Sequence, residues 1–377
     1  MRQGRRRSAR RDTQQLRLAE REGGAIRILL PTLYGTRGGS TRVLLAAAEA
    51  LRAEHAVTVR APLPEADDPA PALFPSRPLD GPARKLAVLP RLARLLARES
   101  LALRRLRPDL IHVHDEPSLY VYGLAARGLS PRPRVLWHLH AEPGRGWILR
   151  LRTRLADACL VISPHVTPPP GLPWHLVRNP LPRLSEIPGV APNLAHIAVV
   201  GALGPRKGQD LAVEALALLR RMPGGETARL TLIGPELDPA FTAALRGRIQ
   251  ALGLGDAVSF TGPRPTEAAF AGVGIALFPS RAEIQPLALA EALARGLPVV
   301  ASDIPAHRAM LADAGADLDR ASTLAPDALA QALLTVPRII APDHAIRIQT
   351  LFDPDRFATE LREAIRTLTP PAHGSRL

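Results

Sequence analysis

Two glutamates carry the clearest chemical pattern in the chain. Glu283 and Glu291 have seven residues between them. The first follows the apolar strand candidate 275–278, and the second lies in a helix that we expect to begin near Pro286. A helix N-terminus offers free N–H groups and a partial positive charge, which suit hydroxyl or phosphate oxygens of a ligand. Two surface glutamates of an ordinary helix are the alternative, and the loop, helix and returning strand around the pair favour the ligand role.

A second candidate loop carries two adjacent cations. Gly201 follows the apolar strand candidate 196–200, and Arg206 and Lys207 precede a predicted helix that starts at Gln209. Cationic side chains in such a loop would neutralise the charge of a diphosphate, including that of a diphosphate leaving group. A solvated turn is the alternative, which Lys207 and the glycine after it do not exclude by themselves.

A glycine pair follows the first strand candidate of the chain. Gly38 and Gly39 precede a segment with helical spacing. This is not a dinucleotide-binding fingerprint, because the pattern Gly-x-Gly-x-x-Gly is absent. A lone glycine pair is weak support for a phosphate-binding loop.

Four histidines lie near the ends of two strand candidates. They are His112, His114, His138 and His140. Alternation along the strands turns His112 and His138 inward, which predicts hydrogen-bonded histidines of the core. The number of imidazoles raises the possibility of a metal site. We expect none, because the two pairs lie on separate strands and no third-ligand pattern accompanies them.

The elements that must position these residues alternate between strands and helices, which predicts parallel sheets covered on both faces by helices. The strand candidates are 25–30, 55–59, 109–114, 134–140, 159–163, 174–177, 196–200, 228–233, 257–260, 275–278 and 298–301. The helix candidates are 41–53, 85–106, 209–221, 240–252, 287–294, 325–334 and 354–368. The segment 61–82 is rich in proline and is predicted to be an irregular loop.

We therefore predict an α/β protein with two Rossmann-like, doubly wound domains that face a cleft, where ligands bind at the carboxyl ends of the strands. The predicted organisation is a basic, disordered tail (1–24), a first domain (25–182), a second domain (183–350) and a C-terminal segment (351–377). The helix of that last segment follows Asp353, a plausible N-cap, and is expected to pack back towards the first domain.

The charge of the chain is strongly basic, with 49 Lys and Arg against 35 Asp and Glu. Eight arginines lie in the tail, and six more lie between 91 and 107. Contact with an anionic membrane surface is an open alternative for that second cluster. Nucleic acid is not an expected partner, because aromatic residues that could stack on bases are scarce.

The single cysteine, Cys159, sits in an apolar run and reads as a core residue. One cysteine allows no disulfide within the chain, and we find neither a signal-peptide pattern nor an apolar run long enough for a bilayer. The expected location is the cytoplasm, with peripheral contact at the inner membrane face as the alternative.

The segment from Glu283 to Ser302 resembles glycosyltransferase family 4, a large retaining family of GT-B fold. The shared features are the spaced glutamates, a helix of small residues and the strand after Gly296 and Pro298. Gln285 and Pro286 replace the family's common Phe-Gly. The resemblance implies that Glu283 contacts sugar hydroxyls and that Glu291 holds the ribose.

The same resemblance gives the cationic loop its role. Lys207 matches the family's phosphate-binding lysine, whereas the family's arginine falls on Ala202 here. Arg206 could replace that arginine from the same loop. Gly38, Gly39 and Gly201 match positions where backbone N–H groups approach the donor phosphates.

The remaining roles implied by the resemblance concern the sugar and the base. His140 would act near the reacting sugar, together with Glu283 and Lys207. The other donor-binding positions lie at strand ends and at the start of the glutamate-bearing helix: Gly234, Glu236, Gly262, Gln285, Pro286 and Leu287.

The function implied is retaining transfer of a sugar from a UDP- or GDP-linked donor to an unidentified hydroxyl acceptor, without metal or cofactor. The alternatives are a GT-B-like epimerase or phosphorylase, and a catalytically degenerate subunit that binds nucleotide beside an active partner.

Overall fold

The computed structural model describes residues 25–35, 38–70, 72, 88–184, 193–316, 321–322, 324–336 and 342–368. The segment 1–24, predicted to be a basic tail, lies outside the described residues. Within them the chain separates into two compact units.

The first unit is built on a seven-stranded sheet in the order β3-β2-β1-β4-β5-β6-β7, with every pairing parallel. Its strands are β1 Arg27–Pro31, β2 Ala56–Ala61, β3 Asp68–Pro69, β4 Leu110–Val113, β5 Arg134–Leu139, β6 Ala158–Val161 and β7 Trp174–Leu176. The helices between them are α1 Gly39–Arg52, α2 Val88–Leu106, α3 Glu116–Arg127 and α4 Gly146–Leu155.

The second unit has a six-stranded parallel sheet in the order β10-β9-β8-β11-β12-β13. Its strands are β8 Ile197–Val200, β9 Leu230–Ile233, β10 Val258–Gly262, β11 Ile275–Phe278, β12 Val299–Ser302 and β13 Ala321–Ser322. Its helices are α5 Gln209–Leu219, α6 Pro239–Ala251, α7 Thr266–Ala269, α8 Leu287–Ala294, α9 Pro305–Ala314, α10 Pro326–Thr335 and α11 Pro342–Leu351.

Both sheets reverse their strand order beside the first strand of the unit. In the first sheet β1 pairs with β2 on one side and with β4 on the other. In the second sheet β8 pairs with β9 and with β11. At such a switch point the loops after the two strands diverge to opposite faces, and the crevice between them is where α/β sheets bind ligands. The predicted doubly wound architecture is confirmed in both units.

The strands at these switch points are mostly apolar because helices cover both faces of the sheet. Strands β4 and β11 are buried at every residue. Cys159 in β6 is also fully buried, and burial raises the pKa of its thiol to about 12, as expected for a core residue.

The last helix, α12 Pro354–Leu368, belongs to the first unit from Phe357 onward. Asp353 caps it by accepting hydrogen bonds from the backbone N–H groups of Asp355 (2.8 Å) and Arg356 (3.2 Å). Its buried residues fall on one face at helical spacing and join the core that contains β1, β4 and β5. They are Phe357, Leu361, Ala364, Ile365 and Leu368. The first unit is therefore closed by the C-terminal end of the described chain.

The division into units differs from the predicted domain limits. The first unit ends at Val177 and is completed from Phe357, rather than spanning 25–182 and then the segment from 351. The second unit runs through Arg178–Arg356 and also takes the short segment Ser163–Val166. The predicted limits followed the proline-rich linker, whereas the contacts of the chain change before it.

Five helices of the structure were not predicted from the sequence: α3, α4, α7, α9 and α11. In α4 only Leu155 is buried and Trp147 is 68% exposed, so its apolar residues give no clear periodic stripe. The predicted irregular loop 61–82 contains β3, a two-residue strand held beside β2. Within the described helices, none has both the length and the apolar character that crossing a bilayer requires.

The packing of α12 gives a prediction about stability. Leu361 is fully buried, whereas Glu363 on the same helix is exposed. Leu361→Ala should lower the free energy of unfolding by about 2–5 kcal/mol, because it leaves a cavity in the core of the first unit. Glu363→Ala should change it by less than about 0.5 kcal/mol. Urea unfolding followed by circular dichroism measures both, and equal stabilities of the two variants would contradict the packing described.

Candidate functional site

An ion pair joins the two loops at the switch point of the second sheet. Lys207 lies in a short 3₁₀ turn after β8, and Glu283 lies in the loop after β11. The Lys207 Nζ is 2.5 Å from Glu283 Oε1, and the Arg206 Nη1 is 2.8 Å from Oε2. The Glu283 side chain is only 7% exposed, and that of Lys207 is 20% exposed. The predicted acidic and cationic residues therefore converge on one place.

Neighbouring side chains fix the charge of Glu283. Burial acts to raise the pKa of this carboxyl, but the charges of Lys207 and Arg206, with hydrogen bonds from Lys207 and Ser280, hold it below its ordinary value. The Ser280 hydroxyl donates to Glu283 Oε1 at 3.0 Å. Glu283 is consequently ionised at neutral pH, and the pocket holds a carboxylate against two cations.

The two loops are also tied together by their backbones. The Arg281 N–H donates to the Arg206 carbonyl at 2.8 Å, and the Arg281 guanidinium donates to the Pro205 carbonyl at 2.6 Å. The same guanidinium forms a two-pronged pair with Asp210 at the start of α5. Charged forks of this kind fix direction as well as distance, so they hold the Lys207 turn against the Glu283 loop.

Gly208 makes this close approach possible. Its φ of +71° lies in the left-handed region, and a Cβ placed on it would lie 2.0 Å from the Pro279 carbonyl oxygen. Only glycine fits such a position without displacement of the backbone. Gln209 then closes the turn, because its amide accepts from the Gly204 N–H and donates to the Ala202 carbonyl.

A buried histidine lies on the other side of the acidic loop. His307 on α9 has no exposed surface, and its Nδ1 lies 2.9 Å from the Ser302 carbonyl oxygen and 3.1 Å from the Ser302 hydroxyl. Burial lowers its pKa to about 4, while the Glu283 charge acts in the opposite direction. The Ser302 hydroxyl donates to the Ser280 carbonyl at 2.5 Å. His307 and Ser302 thus form a chain of contacts that ends on Ser280, at the start of the loop that carries Glu283.

The residues that support this contact were not predicted from the sequence. They are Gln209, Asp210, Ser280, Arg281, Ser302 and His307. Ser280 and Arg281 directly follow the buried strand β11, and that position at a strand's carboxyl end is the signal that could have found them.

Three glycines predicted to bind the donor end neighbouring strands of the second sheet. They are Gly201, Gly234 and Gly262. The Gly201 N–H donates to the Ile233 carbonyl at 2.8 Å, and the Gly234 N–H donates to the Gly262 carbonyl at 3.0 Å. A Cβ on Gly234 would lie 2.0 Å from the Gly201 carbonyl oxygen. The side chain of Lys207 passes over Gly201, where a Cβ would meet its Cε at 3.2 Å. This row of strand ends therefore leaves room for the lysine.

Glu236 lies beyond this row in an exposed ion pair. Its carboxylate is 2.6 Å from the guanidinium of Arg246 on α6. Arg246 also stacks on Phe260, with 4.0 Å between the guanidinium carbon and the ring centroid. The resulting stack of an arginine on an aromatic ring is a flat surface of the kind that suits a planar ligand group.

The backbone N–H of Leu287, a predicted donor-binding residue at the start of α8, already has a partner within the protein. The Leu287 N–H donates to the Gln285 carbonyl at 2.9 Å, so it is engaged within the turn around Pro286 instead of being offered to a sugar. The Gln285 side-chain oxygen accepts from the backbone N–H of Asn179 at 3.2 Å. Gln285 therefore ties this turn to the segment that enters the second unit.

Glu291 is buried inside the second unit, with 4% of the residue exposed. It lies one turn before Arg295, whose guanidinium donates to the Glu291 carbonyl at 2.9 Å. Burial lowers the pKa of Arg295, and the Glu291 charge acts in the opposite direction. Glu291 is therefore not a surface glutamate of α8, which was the alternative to a ligand role in the sequence analysis.

The glycine pair of the first unit begins α1 after β1. Gly38 is the N-cap with a negative φ of −96°, and a Cβ on either Gly38 or Gly39 would meet nothing within 4 Å. The fold itself does not demand glycine at these positions. Their bare backbone leaves the first turn of α1 open to an approaching group.

The four histidines converge at the ends of β4 and β5. These strands are neighbours, with His112 opposite Leu136 in the register. His114 Nδ1 lies 3.0 Å from His140 Nε2, and ligand atoms of His112, His114 and His138 lie within 4.8 Å of one another. The expectation that separate strands keep the pairs apart is wrong, because adjacent parallel strands end at the same edge.

The predicted hydrogen bonding of the inward histidines is also wrong. His112 and His138 are fully buried, and none of their four ring nitrogens has a hydrogen-bond partner among the described residues. Burial lowers the pKa of His112 and His140 to about 3, and it lowers those of His114 and His138 well below the ordinary value. All four imidazoles are neutral at neutral pH.

The switch point of the first sheet is held by a buried carboxyl. Asp115 follows His114, caps α3 through the Ser118 N–H at 2.7 Å, and receives a hydrogen bond from Thr32 after β1. Burial raises its pKa to about 6. Asp115 thus links the two loops of the first unit, as the Lys207–Glu283 pair links those of the second.

A separate cavity of about 270 Å³ lies beside β9 and β10 in the second unit. Thr231, Ser259, Thr261 and Arg264 contribute its polar lining. None of the donor-binding residues predicted from the sequence lines it. The cavity is therefore not the site defined by Lys207 and Glu283.

The Gly208 turn gives a second prediction. Gly208→Ala should destabilise the second unit by several kcal/mol and misplace Lys207, because it adds a contact with the Pro279 carbonyl to the cost of a positive φ. Gly224→Ala is the matched control: its φ is +87°, but a Cβ there meets nothing within 4 Å, so only about 1–2 kcal/mol is expected. Thermal unfolding compares the two, and equal losses would contradict the close approach described.

Comparison with known proteins agrees with this architecture. Two family descriptions match the chain: "Glycosyltransferase Family 4" over residues 37–167 and "Glycosyl transferases group 1" over residues 195–337. The D-inositol 3-phosphate glycosyltransferase of Jonesia denitrificans is 40% identical over 121 residues, which are 31% of this chain and 28% of that protein. The alignments span less than a third of the length of the curated relatives that the chain matches.

Solved structures match over almost the whole chain. The structure of HepE from Anabaena in complex with UDP-glucose has a TM-score of 0.70 and 20% identity, and the match covers 91% of this chain and 100% of that one. Sucrose-phosphate synthase from Thermosynechococcus elongatus has a TM-score of 0.72 and 19% identity, with 92% and 100% covered. At these identities the likeness concerns the fold. The two matched halves, the two switch-point sheets and the loop–helix–strand frame around Glu283 and Glu291 identify the chain as a member of glycosyltransferase family 4 with the GT-B fold.

Proposed function

We propose that this protein is a retaining glycosyltransferase that takes a sugar from a nucleoside diphosphate donor and transfers it to an acceptor hydroxyl. The single observation that carries the proposal is the contact of Lys207 and Arg206 with Glu283 across the two switch-point loops. A diphosphate and a hydroxylated sugar need cations and a carboxylate side by side, and this pocket offers both.

The cations have a direct task in the reaction. Cleavage of the bond between the sugar and the diphosphate leaves negative charge on the phosphate, and Lys207 and Arg206 would stabilise it. The Lys207 ammonium is held in place by Glu283 before a ligand arrives, so this cation needs little reorganisation. Arg206, whose side chain is 59% exposed, is placed to swing towards a phosphate in place of the arginine absent at Ala202.

The carboxylates would hold the sugars of the donor. Glu283 is ionised and can accept hydrogen bonds from the hydroxyls of the transferred sugar. Glu291 is proposed to accept those of the ribose. The base is proposed to lie near Gly234, Glu236 and Gly262, where Arg246 stacked on Phe260 offers a flat face.

The first unit is proposed to serve the acceptor and the phosphates. Gly38 and Gly39 leave the start of α1 accessible to phosphate oxygens. His140 is a neutral imidazole whose Nε2 faces His114, so its other ring nitrogen can donate a hydrogen bond to a hydroxyl oxygen. In a retaining transfer, the leaving phosphate itself is proposed to take the acceptor proton.

The comparisons favour particular choices for the first assays. The Anabaena neighbour was crystallised with UDP-glucose, which supports a UDP-linked donor. The Jonesia relative is named for D-inositol 3-phosphate, which supports a phosphorylated polyol in the acceptor panel. Cytoplasmic location and contact of the Arg91–Arg107 cluster with an anionic membrane stay predictions.

The roles of the ion pair are tested by substitution. Lys207→Ala and Glu283→Gln should each lower the rate of transfer by about 10²–10³-fold, because each removes a charge that contacts the reacting part of the donor. Arg248→Ala is the control, since it removes a surface ion pair with Glu214 in the same unit. Full activity of either site variant, with an unchanged circular dichroism spectrum, would reject the assigned roles.

The donor is identified by a screen of UDP-, GDP- and ADP-sugars, scored by release of the free nucleotide with the acceptor panel present. We expect release from one nucleotide class only, and NMR of the product should show the anomeric configuration of the donor retained. An altered sugar nucleotide without acceptor would indicate an epimerase, and phosphate-dependent cleavage a phosphorylase. Absence of binding to UDP and GDP in calorimetry would indicate a degenerate subunit.

Independence from a metal at the diphosphate is a further part of the proposal. Because Lys207 and Arg206 already supply two positive charges, the affinity for the nucleoside diphosphate should change by less than about threefold when Mg²⁺ is added. Isothermal titration with and without Mg²⁺ measures this. A strict requirement for the ion would contradict the proposed role of the two cations.

A further inference from the structure

The histidines of β4 and β5 form a cluster that the proposed transfer reaction does not explain. His112 and His138 are fully buried, and His114 is 2% exposed. The ring centroids of these three lie between 4.4 and 5.3 Å apart. Within the part of the chain that the structure describes, five of the six ring nitrogens in this trio have no hydrogen-bond partner: both of His112, both of His138 and Nε2 of His114.

Such a trio is costly in a protein interior unless something binds it. Each neutral imidazole carries one N–H donor and one nitrogen with a free electron pair. A buried polar group without a partner costs about 1–3 kcal/mol. The cost is incurred at several nitrogens within one small volume, which indicates a ligand able to accept several electron pairs at once.

We infer that His112, His114 and His138 form a binding site for a divalent transition metal ion of the zinc class. Imidazole nitrogen is a preferred ligand of Zn²⁺, whereas Mg²⁺ and Ca²⁺ require oxygen ligands, which this trio does not offer. Three histidines with a fourth position for water are a known zinc arrangement. The four-histidine motif that the sequence analysis set aside thereby acquires a role.

The geometry allows the ion to enter with small side-chain movements. The ligand atoms lie within 4.8 Å of one another. Tetrahedral coordination with Zn–N bonds of about 2.0–2.1 Å needs nitrogens roughly 3.4 Å apart. Rotation of the rings about their side-chain bonds would bring the nitrogens to this distance.

His140 completes the site as a positioning residue. Its Nε2 lies 3.0 Å from His114 Nδ1. When His114 donates through Nδ1 to His140, its Nε2 keeps the free electron pair that would bind the ion. Metal-binding histidines commonly have such a partner on the second nitrogen. His140 is also less buried than the trio, so it marks the side from which the ion and its water would enter.

This inference does not depend on the proposed transfer reaction. Binding of Zn²⁺ can be present in a chain that fails the transfer assay, and absent in one that passes it.

Calorimetric titration of Zn²⁺ into the tag-free full chain, after treatment with a chelator, tests the site. We expect one ion per chain and a higher melting temperature of the wild type with Zn²⁺. His138→Ala should weaken binding by at least about 100-fold, and His140→Ala by about 10–100-fold. His196→Ala, at an exposed histidine of the second unit, should leave affinity unchanged.

The visible spectrum of Co²⁺ bound to the wild type provides a test that needs no variant to fold. We expect the intense absorption of a four-coordinate ion, and Zn²⁺ should displace it. An absence of binding to the wild type, the weak absorption of a six-coordinate ion, or equal affinity in folded His138→Ala would each overturn the proposal and leave bridging water as the partner of the rings.

Discussion

The structure of the second unit depends on one electrostatic constraint: a nearly buried carboxylate, Glu283, must stay paired with the cations of a neighbouring loop. An unpaired carboxylate at this depth would be strongly disfavoured, because burial opposes its charge. The pairing fixes the distance between the loop after β8 and the loop after β11. Those loops follow the two strands at the switch point of the sheet. Their contact therefore lies at the crevice where ligands bind in this fold.

Several other features serve that same contact. Gly208 lacks the Cβ that would collide with the Pro279 carbonyl, and Arg281 links the two loops by donating to the Pro205 carbonyl. Ser280 and His307 hold the acidic loop from within the unit. The first unit has a comparable arrangement, in which Asp115 links the loops after β1 and β4. In both sheets a carboxyl group at the switch point therefore organises the loops.

Much of this could be predicted from the sequence. Eleven of the thirteen described strands were predicted because short apolar runs recur, whereas β3 and β13, with two residues each, were not. The glutamate pair and the cationic loop were found because each follows such a run. The confirmed fold follows from that rhythm. Among the missed helices, α4 buries only Leu155, so its apolar stripe is weak. The convergence of the four histidines was not predicted, because it depends on which strands are neighbours. Strand order is a property of the folded sheet. The supporting role of His307 depends likewise on the packing of α9.

The central claim is that the Lys207 loop binds the diphosphate of the donor. It is tested most directly by comparing the affinities of UDP and uridine for the wild type and for Lys207→Ala in calorimetric titrations. The account predicts that the substitution weakens UDP binding by about tenfold or more and leaves uridine binding unchanged, since uridine carries no phosphate. Equal loss for both ligands, or no loss for UDP, would contradict it.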